Sequence, residues 1–258
     1  MQKFDSVPLL LLLLGIIALL SVIIELGYQL GKRLGSEQGL SKHPVEASVT
    51  TAVLSLMAFM LGFSFATAAS RYSNRRDLIL EEANVTGTAY LRADFLPPGQ
   101  IETARTLIRE YVQIRSEAAK YRNLDELAPA LEKSSAFQDE LWQIAVKARA
   151  ESTSVAVNLF ITSINELIDV DAKRRTIGLV NRFPSALWLT LAFLGVLATT
   201  MLGVSSGLHG RRSRLATTAL IVAFSVVFVL IVDIDRPFRA LFKADGSALS
   251  QALRSMQP

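Results

Sequence analysis

Four long stretches without a charged residue constrain this chain more than any other feature. Ser6–Ile24, Ala47–Ser70, Phe183–Leu208 and Leu215–Val232 contain no Asp, Glu, Lys, Arg or His, and each has at least 18 residues. At about 1.5 Å per residue, a helix of that length crosses a hydrocarbon core of roughly 30 Å. A helix of a water-soluble domain would keep one polar face. The sequence therefore predicts an all-α membrane protein with four transmembrane helices.

The polar segment between the second and third apolar stretches predicts an extramembrane antiparallel helical bundle inserted between spans 2 and 3. Its apolar residues recur at helical spacing. Helices are expected at about Gln100–Tyr121 and Leu124–Glu132, and Ser134 and Ser135 are candidate N-caps of a long final helix. The expected parts are a first transmembrane hairpin at 1–70 (spans about 7–30 and 49–69), the bundle at 71–183, a second hairpin at 184–236 (spans about 184–207 and 216–235) and a short tail at 237–258.

Glycines and prolines predict where the first two membrane helices end. The segment Gly31–Gly35 combines glycines with two basic residues and should end the first of them. No proline interrupts Arg71–Leu96, so the second span should leave the membrane as one long helix and stop before Pro97. We therefore expect the bundle to be continuous with the spans.

Composition excludes several classes of function. The net charge of +4 is modest and dispersed, which favours anchoring near the membrane surface over nucleic-acid binding. The absence of Cys excludes disulfides, thiolate metal sites and cysteine nucleophiles. The sequence contains no Gly-rich phosphate loop, HExxH pair or GxSxG elbow. We expect no enzymatic activity, no metal site and no cofactor.

The charges near the span ends favour a cytoplasmic bundle. Four spans place both termini and the bundle on the same side of the membrane. Six basic residues lie in the short loops of the other side, namely Lys32, Arg33, Lys42, Arg211, Arg212 and Arg214, and twice as many lie near the span ends on the bundle side. The first span alone argues the reverse, because Lys32 and Arg33 outweigh Lys3.

A row of small residues marks one face of the second span. Ala58, Gly62, Ala66 and Ser70 recur every four residues, and such a groove lets helix backbones approach closely in lipid. One interpretation is packing against another span of the same chain. The other is packing between subunits or around a central axis.

Phe59, Phe63 and Thr67 lie beside this groove at the same spacing. Phenylalanines in such a pattern usually face lipid or a protein core. If several copies surround an axis with this helix, however, the rings form an apolar constriction that gates by dewetting. These three residues are therefore candidates for a pore or gate.

A dense polar cluster follows where the second span leaves the membrane, and the end of the fourth span should reach the same level. Its members are Arg71, Tyr72, Arg75, Arg76, Glu81, Glu82, Asn84, Arg92, Asp233, Asp235 and Arg236. Pairs such as Asp233 with Arg71 and Asp235 with Arg75 would clamp the bundle to the membrane helices. Alternatively, the surplus of arginine would form a vestibule that attracts anions.

Two blocks of this sequence resemble a known family. The first runs from Phe59–Phe65 through Arg71-Tyr72 and Arg75-Arg76 to Glu81–Asn84 and Gly87–Arg92, and the second is Asp233–Arg239. They resemble the bacterial bestrophin-like membrane protein family, whose function is uncharacterised and which is distantly similar to bestrophin anion channels. The resemblance spans most of the chain and implies a multi-pass protein of the bacterial inner membrane.

The resemblance also implies an assembly and a pore. Bestrophins are pentamers with four spans, a helical cytosolic region and an apolar neck on the second span. By this resemblance Phe59 and Phe63 match neck positions, a homo-oligomer such as a pentamer is expected, and inorganic anions are the expected permeant partners. The acidic calcium-clasp pattern of bestrophins is not found in the tail, which argues against calcium gating.

Two functions of different class follow. The first is an oligomeric ion channel, passing anions, whose second span lines the pore. The second is a non-conducting membrane sensor or scaffold whose bundle binds a ligand or a partner protein. Only about 20 residues follow Arg236, which is too few for an output module, so a sensor would need a separate partner.

Overall fold

The chain is all helical where the structure, a computed structural model, describes it: residues 7–37, 44–118, 120–121, 123–180, 183–210, 213–236 and 246–256. No strand occurs in these ranges. The helices are α1 (Leu9–Glu37), α2 (Pro44–Arg92), α3 (Pro98–Ala118), α4 (Leu124–Glu151), α5 (Val155–Arg175), α6 (Ser185–Leu208), α7 (Arg214–Asp235) and α8 (Ser247–Ser255). Of these, α1, α2, α6 and α7 are long and apolar enough to span a membrane. The predicted class, all-α with four membrane helices, is confirmed.

The chain divides into two units. The membrane unit comprises Met1–Ser70 and Phe183–Arg236, and the helical unit comprises Arg71–Arg182 and Pro237–Pro258. Helix α2 contributes to both, because the boundary at Ser70 lies within it. The last 22 residues were expected to form a tail, and 246–256 of them lie within the described ranges. Of the second motif block, Asp233–Arg239, residues 237–239 lie outside the described ranges.

In the membrane unit, α1 packs against α6 and α7, and glycines set the crossing with α6. A Cβ on Gly27 would stand 2.7 Å from the Thr200 carbonyl oxygen, and one on Gly31 would overlap the backbone of Val204. Gly203 and Gly207 are pressed in the same way against the backbone of α1. The contacts advance in the same direction along both helices, so α1 and α6 run parallel. Such small residues let helix backbones meet in lipid.

The predicted end of the first membrane helix at Gly31–Gly35 is wrong. Helix α1 continues through this segment to Glu37. In lipid a glycine does not have to break a helix, because backbone groups find no water to bond and stay paired within it. Gly31 serves the contact with α6 instead.

Helix α2 agrees with the expectation of one long helix. It runs for 49 residues and passes into a short 3₁₀ turn at Ala93–Phe95. Leu96 then has extended backbone angles, as expected for a residue that precedes a proline. Pro97 and Pro98 therefore define the turn into α3.

The predicted start of a new helix at Ser134 and Ser135 is wrong, because α4 runs unbroken from Leu124 to Glu151. Ser134 and Ser135 are not N-caps; their hydroxyls donate to the carbonyls of Ala130 and Leu131 within α4. Asn123 caps α4 by accepting from the Glu126 N–H, and the helix passes through Pro129. The real break follows Glu151, where the Ser154 side chain accepts from Val157 N–H and starts α5. A cap needs an extended backbone as well as a hydroxyl, and residue type alone does not give the backbone.

One hydrophobic core joins the helices of this unit. It includes Ile79, Ile108, Leu141, Ile164 and Leu249, which are buried on α2, α3, α4, α5 and α8. Helix α8 packs against α3, and the Tyr90 hydroxyl of α2 donates to the Met256 carbonyl at 3.0 Å. The C-terminal helix is thus part of the core.

Replacing Leu249 by alanine should lower the free energy of unfolding by about 2–5 kcal/mol, because the side chain is fully buried and its loss leaves a cavity. Thermal and denaturant unfolding of the purified protein in detergent measures this. Gln251→Ala on the exposed side of α8 is the control. Equal midpoints for the two variants would show that α8 contributes no packing.

Candidate functional site

One face of the membrane part of α2 is left open by the part of the chain that the structure describes. Phe59 is 65% exposed and Phe63 52% exposed. Thr67 is half-buried, and its hydroxyl donates to the Phe63 carbonyl at 2.9 Å. The small residues Ala58, Gly62, Ala66 and Ser70 are exposed too, and among the described atoms none lies within 4 Å of a Cβ built on Gly62.

The opposite face of α2 makes the contacts within the membrane unit. Met57, Leu61, Ser64 and Ala68 are buried, and the Met57 Cε lies 3.7 Å from a Cβ position on Gly195 of α6. In the single chain, α2 therefore packs through this face and not through the small-residue groove. The groove and the phenylalanines are left for lipid or for another copy of the chain.

The predicted polar cluster divides according to the face of α2. Arg71, Tyr72 and Arg75 are half-buried, and Arg76 is exposed. Glu81 is exposed and lies 3.8 Å from Lys173 Nζ; Asn84 is exposed too. Arg92 points elsewhere, since it donates to Ser163 Oγ at 2.7 Å and to the Leu159 carbonyl at 3.1 Å on α5.

Glu82, the neighbour of Glu81, is fully buried inside the helical unit. Its Oε1 accepts hydrogen bonds from Tyr111 Oη and from Arg115 Nε of α3, each at 2.7 Å. Its Oε2 accepts from Arg174 Nη1 of α5. The carboxylate therefore ties α2 to two other helices.

The contacts of Glu82 extend into a buried ion network. Its members are Glu82, Tyr111, Arg115, Asp171, Arg174 and Arg175. Arg115 Nη2 lies 2.9 Å from Asp171 Oδ1, and Arg175 Nε donates to Asp171 Oδ2 at 2.7 Å. Arg175 also donates to Ser135 Oγ at 2.9 Å and to the Leu131 carbonyl at 3.1 Å on α4. The network thus connects α2, α3, α4 and α5.

Electrostatics hold Glu82 and Arg115 of this network in their charged forms. Burial acts to raise the pKa of Glu82, but the charges of Arg174 and Arg115 and the hydrogen bonds from Arg115 and Tyr111 outweigh it and lower the pKa to about 2. Burial and the Glu82 charge raise the pKa of Tyr111 well above its usual value. Burial alone would lower the pKa of Arg115, and the acidic partners raise it instead. Glu82 is therefore ionised and Tyr111 neutral at physiological pH.

At the end of α7, Asp233 and Arg236 are buried. Asp235 Oδ1 accepts from the Phe183 N–H at 3.1 Å and so ties the end of α7 to the start of α6. The expected pairing of Asp233 with Arg71 and of Asp235 with Arg75 would join the two units. It stays a prediction.

Sequence reasoning missed Arg115, Asp171, Arg174 and Arg175. A signal existed for Arg115, because it follows Tyr111 by four residues on the buried face of α3. The burial of Glu82 could also have been predicted, because Glu82 lies on the same face of α2 as the buried residues Ile79, Thr86 and Ala89.

A comparison with protein-family models matches residues 14–249 to the bestrophin-like domain. The chain belongs to the bestrophin-like family. The resemblance stated from the motif blocks is thereby confirmed. No curated protein matches the chain.

Solved structures share this fold at low sequence identity. A bacterial bestrophin homologue from Klebsiella pneumoniae is 17% identical with a TM-score of 0.68, over 96% of this chain and 98% of that one. A second structure of the homologue is 17% identical with a TM-score of 0.66, over 96% and 97%. A membrane protein variant is 16% identical with a TM-score of 0.69, over 96% and 97%. The bestrophin-like chain is thus a multi-pass membrane protein with a bestrophin fold.

Proposed function

We propose that the chain forms a homo-oligomeric ion channel of the bacterial inner membrane that passes anions, with the open face of α2 lining the pore. Membership of the bestrophin-like family and the fold of the Klebsiella homologue support a channel. One observation carries the assignment of the pore: Phe59 and Phe63 are exposed on α2 while the opposite face of that helix is buried.

The open face of α2 has the composition that an axial helix needs. Its small residues, with open space at Gly62, let copies of α2 approach one another closely. The adjacent phenylalanine rings would then encircle the axis and narrow it with apolar surface. A constriction of this kind holds back water and ions without any polar gate.

The preference for anions rests on charge. Arg71, Arg75 and Arg76 follow Ser70 within two turns of α2, and Asp77 is the first acid after them. Of the next two acids, Glu82 is neutralised inside the buried ion network and Glu81 lies near Lys173. Residues 71–78 thus contain three arginines and one acid, a formal charge of +2. A pore mouth formed by this stretch would concentrate anions and repel cations.

Replacing Phe59 or Phe63 by alanine should raise chloride flux about tenfold, equivalent to lowering a permeation barrier by about 1.4 kcal/mol, because the apolar constriction widens and wets. Flux is measured in liposomes that contain the purified protein, with sulfate and potassium as comparison ions. Phe65→Ala, on another face of α2, is the matched control and should conduct like the wild type.

Two results would contradict the proposal. The first is a wild-type protein that, once oligomeric in liposomes, conducts no ion. The second is a flux that both phenylalanine variants leave unchanged. Recovery of a stoichiometric second protein after crosslinking, without conduction, would instead favour the sensor or scaffold.

A further inference from the structure

The last turn of α5 is held by three other helices. Arg174 donates to Glu82 of α2, Asp171 pairs with Arg115 of α3, and Arg175 donates to Ser135 of α4. Directly after Arg175 the chain widens into a π-helical turn at Thr176–Val180. Such turns are rare and often occur at functional sites.

Stability does not explain this arrangement well. Buried ion pairs often contribute little net stability relative to apolar residues of the same volume, because both charges lose their hydration. Without α5, Glu82 would still have a partner at each oxygen: Oε1 accepts from Tyr111 and Arg115 at 2.7 Å, and Oε2 accepts from Arg115 Nη2 at 3.4 Å. Glu82 therefore does not depend on Arg174 for a partner. What the contact with Arg174 contributes is a fixed distance between α2 and the end of α5.

A neighbouring pair on the same two helices gives the contrast. Glu81 of α2 and Lys173 of α5 lie 3.8 Å apart, and their side chains are 47% and 58% exposed. Water screens the attraction between such exposed charges, so this pair hardly restrains the relative positions of the two helices. Glu82 is fully buried and Arg174 is mostly buried. The planar guanidinium of Arg174, held on a buried carboxylate, is also directional in a way that an exposed ammonium is not.

We propose that Glu82 and Arg174 form a positioning pair that sets where α2 stands relative to α5, and through α2 the spacing of the pore-lining face. The inference deepens the proposed channel function and rests on it for its effect on conduction. Helix α2 is continuous from Pro44 to Arg92, so a shift at Glu82 would reach Phe63 along the same helix. The pair touches no permeating ion and acts through the helix alone.

The test compares Arg174→Gln with Lys173→Gln. Both variants remove one positive charge from the end of α5, and Arg174→Gln leaves Glu82 paired with Arg115. Because the chain has no native Cys, cysteines at the exposed Asn84 of α2 and Asn165 of α5 can carry spin labels. Labelled chains are diluted in unlabelled ones, the distance between the labels is measured by pulsed electron resonance, and chloride flux is measured per folded chain. If Arg174→Gln is recovered unfolded, Arg174→Lys, which keeps the charge but not the planar guanidinium, takes its place.

We expect Arg174→Gln to shift the distance between the labels by about 2 Å or more, the size of helix shifts in switching proteins, and to change flux per folded chain at least about fivefold. Lys173→Gln should change neither. A purely structural role would reduce the folded fraction and leave both readouts unchanged, which would overturn the proposal. A shifted distance in a protein whose wild type does not conduct would support the positioning pair and refute the channel. Altered flux at an unchanged distance would overturn the pair.

Discussion

Replacing Gly31 by leucine should prevent α1 from packing on α6 and leave little folded protein. A Cβ at this position would overlap the Val204 carbonyl, and that atom belongs to the backbone of α6. A flexible side chain can move aside, whereas a helix backbone must move as a whole. The two helices would have to separate along their crossing, which removes the contacts of Gly27, Gly203 and Gly207 as well.

The expected loss exceeds the range of about 1–3 kcal/mol for ordinary overpacking, because no rotamer of the new side chain avoids the overlap. The measurement is the yield of monodisperse protein in detergent, together with its melting temperature. Gly15→Leu is the matched control: Gly15 lies on the same helix, and none of the described atoms is within 4 Å of its Cβ position. Equal yields for the two variants would show that the α1–α6 crossing is looser than described.

Glu82→Gln should strongly destabilise the helical unit. Glutamine can still accept hydrogen bonds through its amide oxygen, but Arg174 would lose its buried counter-charge and Arg115 would keep only that of Asp171. Breaking a buried ion pair by removing one partner typically lowers stability by about 3–5 kcal/mol. Chemical unfolding in detergent measures this, with Glu81→Gln, exposed beside Lys173, as the control.

The same carboxylate predicts how acid acts on the protein. The pKa of Glu82 is lowered from 4.5 to about 2 in the folded chain, so folding favours the ionised form. The resulting stability, about 3 kcal/mol, is present above pH 4.5 and is lost as the pH falls from 4.5 towards 2. Melting temperatures recorded across that range should drop for the wild type and change less for Glu82→Gln. Parallel pH curves would show that Glu82 is not paired as described.

Much of the architecture follows from the sequence because the membrane leaves few choices. A stretch without charges that is long enough to cross the bilayer must be helical, since no water satisfies its backbone. Proline likewise predicted the end of α2 near Pro97, because two consecutive prolines remove two backbone donors and disfavour helical angles in the residue before them. These constraints are local, and the residues that carry them can be identified from type and spacing alone.

The contacts between helices were harder to predict. Glu81 and Glu82 are adjacent acids of the same helix, yet one is exposed and the other anchors a buried network. Their difference depends on where Arg115 and Arg174 lie in space, far away in the chain. Gly31 was likewise expected to end a helix. Its actual role is to pack against Val204, which belongs to the last third of the sequence, so the residues around Gly31 do not reveal that role. The spacing and type of the residues indicate which face of a helix is buried, but they do not identify the helix that packs against it.

The parallel crossing of α1 and α6 has a consequence for biosynthesis. A ribosome delivers α1 to the bilayer well before Gly203 and Gly207 have been translated, because α2 and the segment Arg71–Arg182 of the helical unit lie between them in the chain. During that interval α1 must reside in lipid without its neighbour, and its unbroken apolar length permits this. Final assembly of the membrane unit therefore waits for α6, so nascent chains arrested before that helix should insert stably without acquiring their mature packing.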